Sequence, residues 1–131
     1  MLEAVRQINY TIVLCNDIDL MKSFYRKLFP FPIESESDTG LTFNSGQTSL
    51  SLRERTRGYD GCGTRADLPG VQLAFLVSPD EVSQCYDLLV SEGVKILEPV
   101  TDQVRGHRTV YFSDPEGNML EIYALVDPPK S

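Results

Sequence analysis

The chain has 131 residues, 41% of them hydrophobic and 24% charged, the make-up of one ordinary globular domain. Its formal net charge of −7 disfavours nucleic acid or an anionic membrane surface as a partner. No stretch approaches the ~20 apolar residues of a membrane span. The opening "MLEAVRQINY" lacks the basic-then-apolar layout of a signal peptide. The three cysteines, Cys15, Cys62 and Cys85, match no zinc or redox spacing. A cytoplasmic protein with reduced thiols is the expectation.

In chain order, "INYTIVLC" (8–15) is rich in β-branched and apolar residues and predicts a buried strand. "DLMKSFYRKLF" predicts an amphipathic helix whose core face is Leu20, Phe24 and Leu28, with Met21, Tyr25 and Phe29 beside them. Asp17 or Asp19 is placed to cap its start, and Pro30 and Pro32 to end it. Three short segments follow: "IESES", "GLTFNSG" and "TSLSLRE".

The order then repeats. "VQLAFLV" predicts an apolar strand. "SPDEVSQCYDLLVSEG" predicts a helix with Ser78 as N-cap, Pro79 at the first position, Glu81 completing a capping box and Gly93 as the stop. Its core face reads Val82, Cys85, Tyr86, Leu89 and Val90. "VKILEP", "HRTVYFS" and "NMLEIYA" close the series. At one constant offset Tyr10 meets Gln72, Leu20 meets Val82, Phe24 meets Tyr86 and Leu28 meets Val90. The chain therefore reads as two strand–helix–three-strand modules, about 6–54 and 71–125, joined by a Gly- and charge-rich crossover, about 55–70, in one domain spanning 1–131.

Strand parity sorts the side chains. In the last strand Leu120, Ile122 and Ala124 share the helix-packed face, leaving Met119, Glu121 and Tyr123 on the other. Val110 and Phe112 match the first set, so His107, Thr109 and Tyr111 lie beside Glu121. Ser49, Ser51 and Arg53 likewise face away from the first helix. The two leading strands are apolar on both faces, and parity does not orient them. A sheet face mixing Tyr, Met, Ser and one Glu predicts a concave ligand cup. "DPEGN" predicts a type I turn ahead of the last strand, with Asp114 at its first position.

"INYTIVLCNDIDLMKSFYRKLF" and "GHRTVYFSDPEGNMLEIYA" resemble the two ends of the vicinal-oxygen-chelate superfamily, which holds glyoxalase I, bleomycin-resistance proteins, extradiol dioxygenases, fosfomycin-resistance enzymes and methylmalonyl-CoA epimerase. The resemblance implies an α+β fold, two βαβββ modules forming a curved incomplete barrel, and a homodimer. It also implies metal ligands at Tyr10, Ser51, Gln72 and Glu121, where family enzymes usually carry His, Glu or Gln. Only Gln72 and Glu121 are ordinary ligands, an incomplete set for a divalent metal. No cofactor is therefore expected, with a divalent metal at Gln72 and Glu121 the exception to be tested.

Three functions compete. The first is a metal-free small-molecule binder like the bleomycin-resistance proteins, with Tyr10, Ser51, Arg53, Gln72, His107, Tyr111 and Tyr123 as ligand-binding residues. The tyrosines and the acidic balance suit a cationic aromatic ligand, whereas Arg53, Arg105 and Arg108 near the rim suit an anion. The second is a lyase, isomerase or epimerase in which Glu121 is the catalytic base or a metal ligand. The third is structural, with Glu121 paired to Arg53.

Overall fold

The computed structural model describes residues 1–62 and 69–129. Part of the expected crossover, 63–68, lies outside the described residues. The chain divides into two compact units, Met1–Gly63 and Thr64–Ser131. Unit 1 runs β1 (Tyr10–Cys15), α1 (Ile18–Leu28), β2 (Ile33–Ser37), β3 (Gly40–Asn44) and β4 (Ser49–Glu54). Unit 2 runs β5 (Gln72–Leu76), α2 (Pro79–Ser91), β6 (Lys95–Asp102), β7 (His107–Ser113) and β8 (Met119–Leu125). Their sheets have the orders β1-β4-β3-β2 and β5-β8-β7-β6. The repeat seen in the sequence is thus a repeat of topology: two βαβββ units, each an open mixed sheet with one helix.

The helix explains the strand order in each unit. A parallel pair needs a crossover, and α1 and α2 return the chain so that β1 lies parallel to β4 and β5 parallel to β8. The hairpin partners are antiparallel. β6 runs through Pro99, beyond the segment its sequence suggests. It is an edge strand with register shifts between Ile96, Glu98 and Thr101, the setting in which a sheet tolerates proline.

The helix ends are built by capping. Asp17 caps α1, its Oδ1 accepting from the Leu20 amide at 3.1 Å. At α2 the Glu81 carboxylate accepts from the Ser78 amide at 2.9 Å and from the Ser78 hydroxyl at 2.7 Å. These bonds, the Ser78 hydroxyl's first, hold the Glu81 carboxyl below its ordinary value. Gly93, at φ 72°, follows the last turn of α2 in a conformation that glycine adopts without strain.

α1 packs on β3 and β4, and α2 on β6, β7 and β8. The unit-1 core is Val13, Cys15, Ile18, Met21, Tyr25, Leu41, Phe43, Leu50 and Leu52, and that of unit 2 includes Val82, Leu89, Val110, Phe112, Leu120 and Ile122. Each of the larger apolar side chains contributes about 1.5–3 kcal/mol by burial. A run of rings, Phe24–Tyr25–Phe29–Phe31–Phe43, carries contact from α1 to β3 with centroids 5.3 to 6.4 Å apart.

The core faces of the helices differ from the sequence reading. Leu20 is 49% exposed, and the buried stripe of α1 is Ile18, Met21 and Tyr25. A stripe at i, i+3 and i+7 turns Leu20 roughly 200° from Ile18, at ~3.6 residues per turn. The ring run fixes that rotation by drawing Tyr25 inward. Lys22 is also buried; its ammonium reaches the Ser37 carbonyl and, at 3.3 Å, Glu36. In α2, Val82 and Leu89 are buried while Val90 is 51% exposed.

Candidate functional site

Register settles the parity that the sequence left open. Gln72 pairs with Met119, Ala74 with Glu121 and Leu76 with Tyr123. Tyr111 pairs with Glu121, and Thr109 with Tyr123. Gln72, Glu121, Tyr111, Tyr123 and His107 therefore share the unit-2 sheet face that points away from α2, as paired residues in a sheet must.

The turn before β8 sets where Glu121 falls. The Asp114 carbonyl accepts from the Gly117 amide at 3.0 Å, the closing bond of a β-turn. The Asp114 side chain is buried and does more than the turn requires. Its Oδ1 accepts from the amides of Glu116 (2.9 Å) and Asn118 (3.0 Å), and its Oδ2 from Asn118 Nδ2 (2.9 Å). This clamp fixes the entry of β8.

Glu121 itself is 6% exposed, on a face whose aromatic members are half-buried. Gln72 Nε2 donates to its Oε1 at 3.2 Å. The two lie diagonally across the parallel pair, within reach because Ala74 opposite Glu121 is small. Around them, His107 stacks on Tyr123 with centroids 5.0 Å apart. Arg105 Nη2 donates to the Tyr111 hydroxyl at 2.9 Å. Thr109 is fully buried and accepts from Gln103 Nε2 at 3.0 Å, and the same amide donates to Glu98 at 2.8 Å. Thr109 lies on the face where the alternation of "HRTVYF" puts it, whereas Gln103 is a polar anchor that sequence pattern did not single out.

Tyr10, Ser51 and Arg53 belong to unit 1, where they share one face of its sheet. Tyr10 is 56% exposed. The Ser51 hydroxyl bonds that of Thr42 at 2.8 Å. Arg53 is paired within its own unit. Its two terminal nitrogens donate to the Asp60 carboxylate at 2.9 and 2.7 Å. Asp60 is buried and also accepts from the amides of Thr56 and Arg57, each at 2.9 Å. The Arg53 guanidinium, followed by these amide bonds, holds the Asp60 carboxyl far below the usual carboxylate range. Arg108 also leaves the rim: its place in register with Ala124 turns it to the helix side, and it pairs with Asp102 at 2.7 Å.

The Glyoxalase/Bleomycin resistance protein/Dioxygenase superfamily model matches residues 7–122. The chain belongs to that superfamily. Among its relatives, the metallothiol transferase FosB of Staphylococcus saprophyticus is 28% identical over 123 residues, which cover 94% of this chain and 78% of the relative. The uncharacterized protein YraH of Bacillus subtilis is 30% identical over 122 residues, covering 87% and 94%. A glyoxalase/bleomycin resistance protein/dioxygenase from Nocardioides matches in structure with a TM-score of 0.80 at 20% identity, covering 98% of this chain and 90% of that one. A lactoylglutathione lyase from Agrobacterium tumefaciens reaches 0.72 at 19% identity, covering 92% and 95%.

Superfamily membership raises the question of a divalent metal. Gln72 and Glu121 offer one carboxamide and one carboxylate, already bonded to each other. Tyr10 and Ser51 bring a phenol and a hydroxyl, neither an ordinary ligand for such an ion. Among the described residues no group of three or more His, Cys, Asp and Glu side chains is arranged to hold a metal. A tightly held ion wants three or four well-placed N, O or S donors, and within unit 2 Gln72 and Glu121 supply two. Among the described residues no helix is long and apolar enough to cross a membrane.

Proposed function

We propose that this chain is a small-molecule binding protein of the superfamily that works without a tightly held metal, acting as a cytoplasmic homodimer. The carrying observation is Glu121: a carboxylate only 6% exposed on the floor of a face bordered by half-buried Tyr111, Tyr123 and His107. A buried carboxylate is costly unless it is paired, and one amide bond at 3.2 Å leaves it with acceptor capacity for a ligand. The charge balance favours a cationic aromatic ligand. Of the three arginines that would attract an anion, Arg53 is paired with Asp60 and Arg108 with Asp102, while Arg105 bonds the Tyr111 hydroxyl. The aromatic faces then stack or hold the cation, with Glu121 as counter-charge.

Calorimetric titration with bleomycin and with a simple benzylammonium cation tests this. Saturable heat from either, weakened roughly ten- to a hundred-fold in Glu121→Gln, is expected; no heat from both removes the reading. A second reading, a metal-dependent transferase or lyase, is favoured by the relatives named metallothiol transferase and by the lactoylglutathione lyase fold match. In it Glu121 is a base or a metal ligand. The donor set described above is why it ranks second.

A further inference from the structure

α1 and the edge strand β2 flank a groove of about 420 Å³ on the helix side of the unit-1 sheet. That is within the ~300–1,000 Å³ of small-molecule sites. Its origin is local. α1 packs on β3 and β4, and β2, at the edge of the sheet, stays exposed along its whole length. Glu36 is in register with Leu41, and Leu41 with Leu52, so Glu36 stands in the row that faces α1. From the helix come Asp19, Lys22, Ser23, Arg26 and Lys27. They recur at i, i+3, i+4, i+7 and i+8, one continuous stripe beside the buried stripe of Ile18, Met21 and Tyr25.

Charge is unevenly matched there. Three cations, Lys22, Arg26 and Lys27, stand against two carboxylates, Asp19 and Glu36, in a chain whose net charge is −7. A single carboxylate serves two of the cations: Glu36 takes Arg26 at 2.7 Å on one oxygen and Lys22 at 3.3 Å on the other. Arg26 first and Lys22 second hold the Glu36 carboxyl below its ordinary value, so it is ionised at neutral pH and already shared. Arg26 spends one of the five N–H donors of its guanidinium on that contact. Arg26 and Lys27 lie in the last turn of α1, where the helix dipole favours cations, but Lys22 does not. Lys22 is buried, and a buried ammonium is costly. A second anion in the groove would offset both that cost and the surplus charge. The Ser23 hydroxyl, one turn before Arg26 and Lys27, adds a neutral donor.

We propose that this groove binds a phosphate monoester of a small polyol. The phosphate takes the free edge of the Arg26 guanidinium and the Ser23 hydroxyl, in the field of Lys22 and Lys27; its three acceptor oxygens suit a guanidinium fork. Asp19, at the other end of the stripe, accepts from the hydroxyls of the polyol. The stripe from Asp19 to Arg26 is roughly 10 Å long at ~1.5 Å per residue, more than a bare phosphate ion fills. These residues come from unit 1 alone, and none of them has a part in the function proposed above.

Amide-resolved NMR titration of the whole chain with glycerol 3-phosphate and with glucose 6-phosphate tests this, with glucose and inorganic sulfate as controls at matched ionic strength. Saturable shifts at the amides of Ser23, Arg26 and Glu36 are expected from at least one ester, weaker ones from sulfate and none from glucose. Arg26→Gln weakens ester binding by about tenfold or more, the loss of charge-assisted hydrogen bonds. Arg26 is an exposed side chain, so its replacement leaves the fold in place, which a thermal melt checks. No saturable shifts from either ester, a sulfate or glucose response as strong as theirs, or ester binding unchanged in Arg26→Gln overturns the proposal.

Discussion

Glu121→Gln folds, melts no lower than the parent chain, and loses ligand binding by roughly ten- to a hundred-fold, the range set by removing one charge-assisted hydrogen bond. Glutamine keeps the shape and can still accept from Gln72, whose Nε2 lies 3.2 Å from the present carboxylate oxygen. The charge is gone, and with it the desolvation cost of a group only 6% exposed. A residue kept for packing behaves differently: its replacement lowers the melting temperature, and binding falls only as folded protein is lost. Thermal melts and calorimetry on the same preparation separate the two. A lower melting temperature with unchanged affinity for the remaining folded protein returns Glu121 to a structural role.

Asp60→Asn is the second large effect, and it falls on stability. One carboxylate takes two bonds from Arg53 and two from the amides of Thr56 and Arg57, while the Asp60 carbonyl takes one from Arg55. Asparagine supplies a single oxygen and turns an amine toward the guanidinium. The melting temperature at neutral pH is expected to drop by several degrees. The sign of the pH dependence follows from the depressed carboxyl. In the unfolded chain Asp60 protonates near its ordinary value of 3.8, whereas in the folded chain it stays ionised well below that. Its contribution is therefore complete above the unfolded value and is lost as pH falls below it. The gap between parent and variant stays constant from neutral pH down to mild acid and closes only in strong acid. A gap that closes between neutrality and mild acid contradicts this account.

The elements were legible because each carried its own period and punctuation. The capping box at Ser78–Glu81, the turn at Asp114–Gly117 and the alternation in β7 and β8 all lie where local pattern puts them. Three features were not legible. β1 and β5 are apolar on both faces, so only pairing with β4 and β8 orients Tyr10 and Gln72. The rotation of α1 depends on which of two adjacent apolar stripes meets the sheet; the rings chose Met21 and Tyr25 over Leu20. Asp60 sits in a segment that reads as solvated crossover, and nothing local marks it as the anchor of Arg53. The conjunction of alternating arginines in "RERTR" with one following aspartate was the available clue.

On the reading proposed above, the superfamily fold carries a ligand-binding carboxylate without the ligand set for a resident metal. Glu121 and Gln72 are two donors where a tight site wants three or four. Calorimetric titration of chelator-treated protein with Mn²⁺, Zn²⁺ and Ni²⁺ tests this most directly. No stoichiometric binding tighter than about millimolar is expected for any of them, with identical traces for the parent and Glu121→Gln. One equivalent of metal bound at micromolar affinity, and lost in Glu121→Gln, would contradict it and restore the metal-dependent reading.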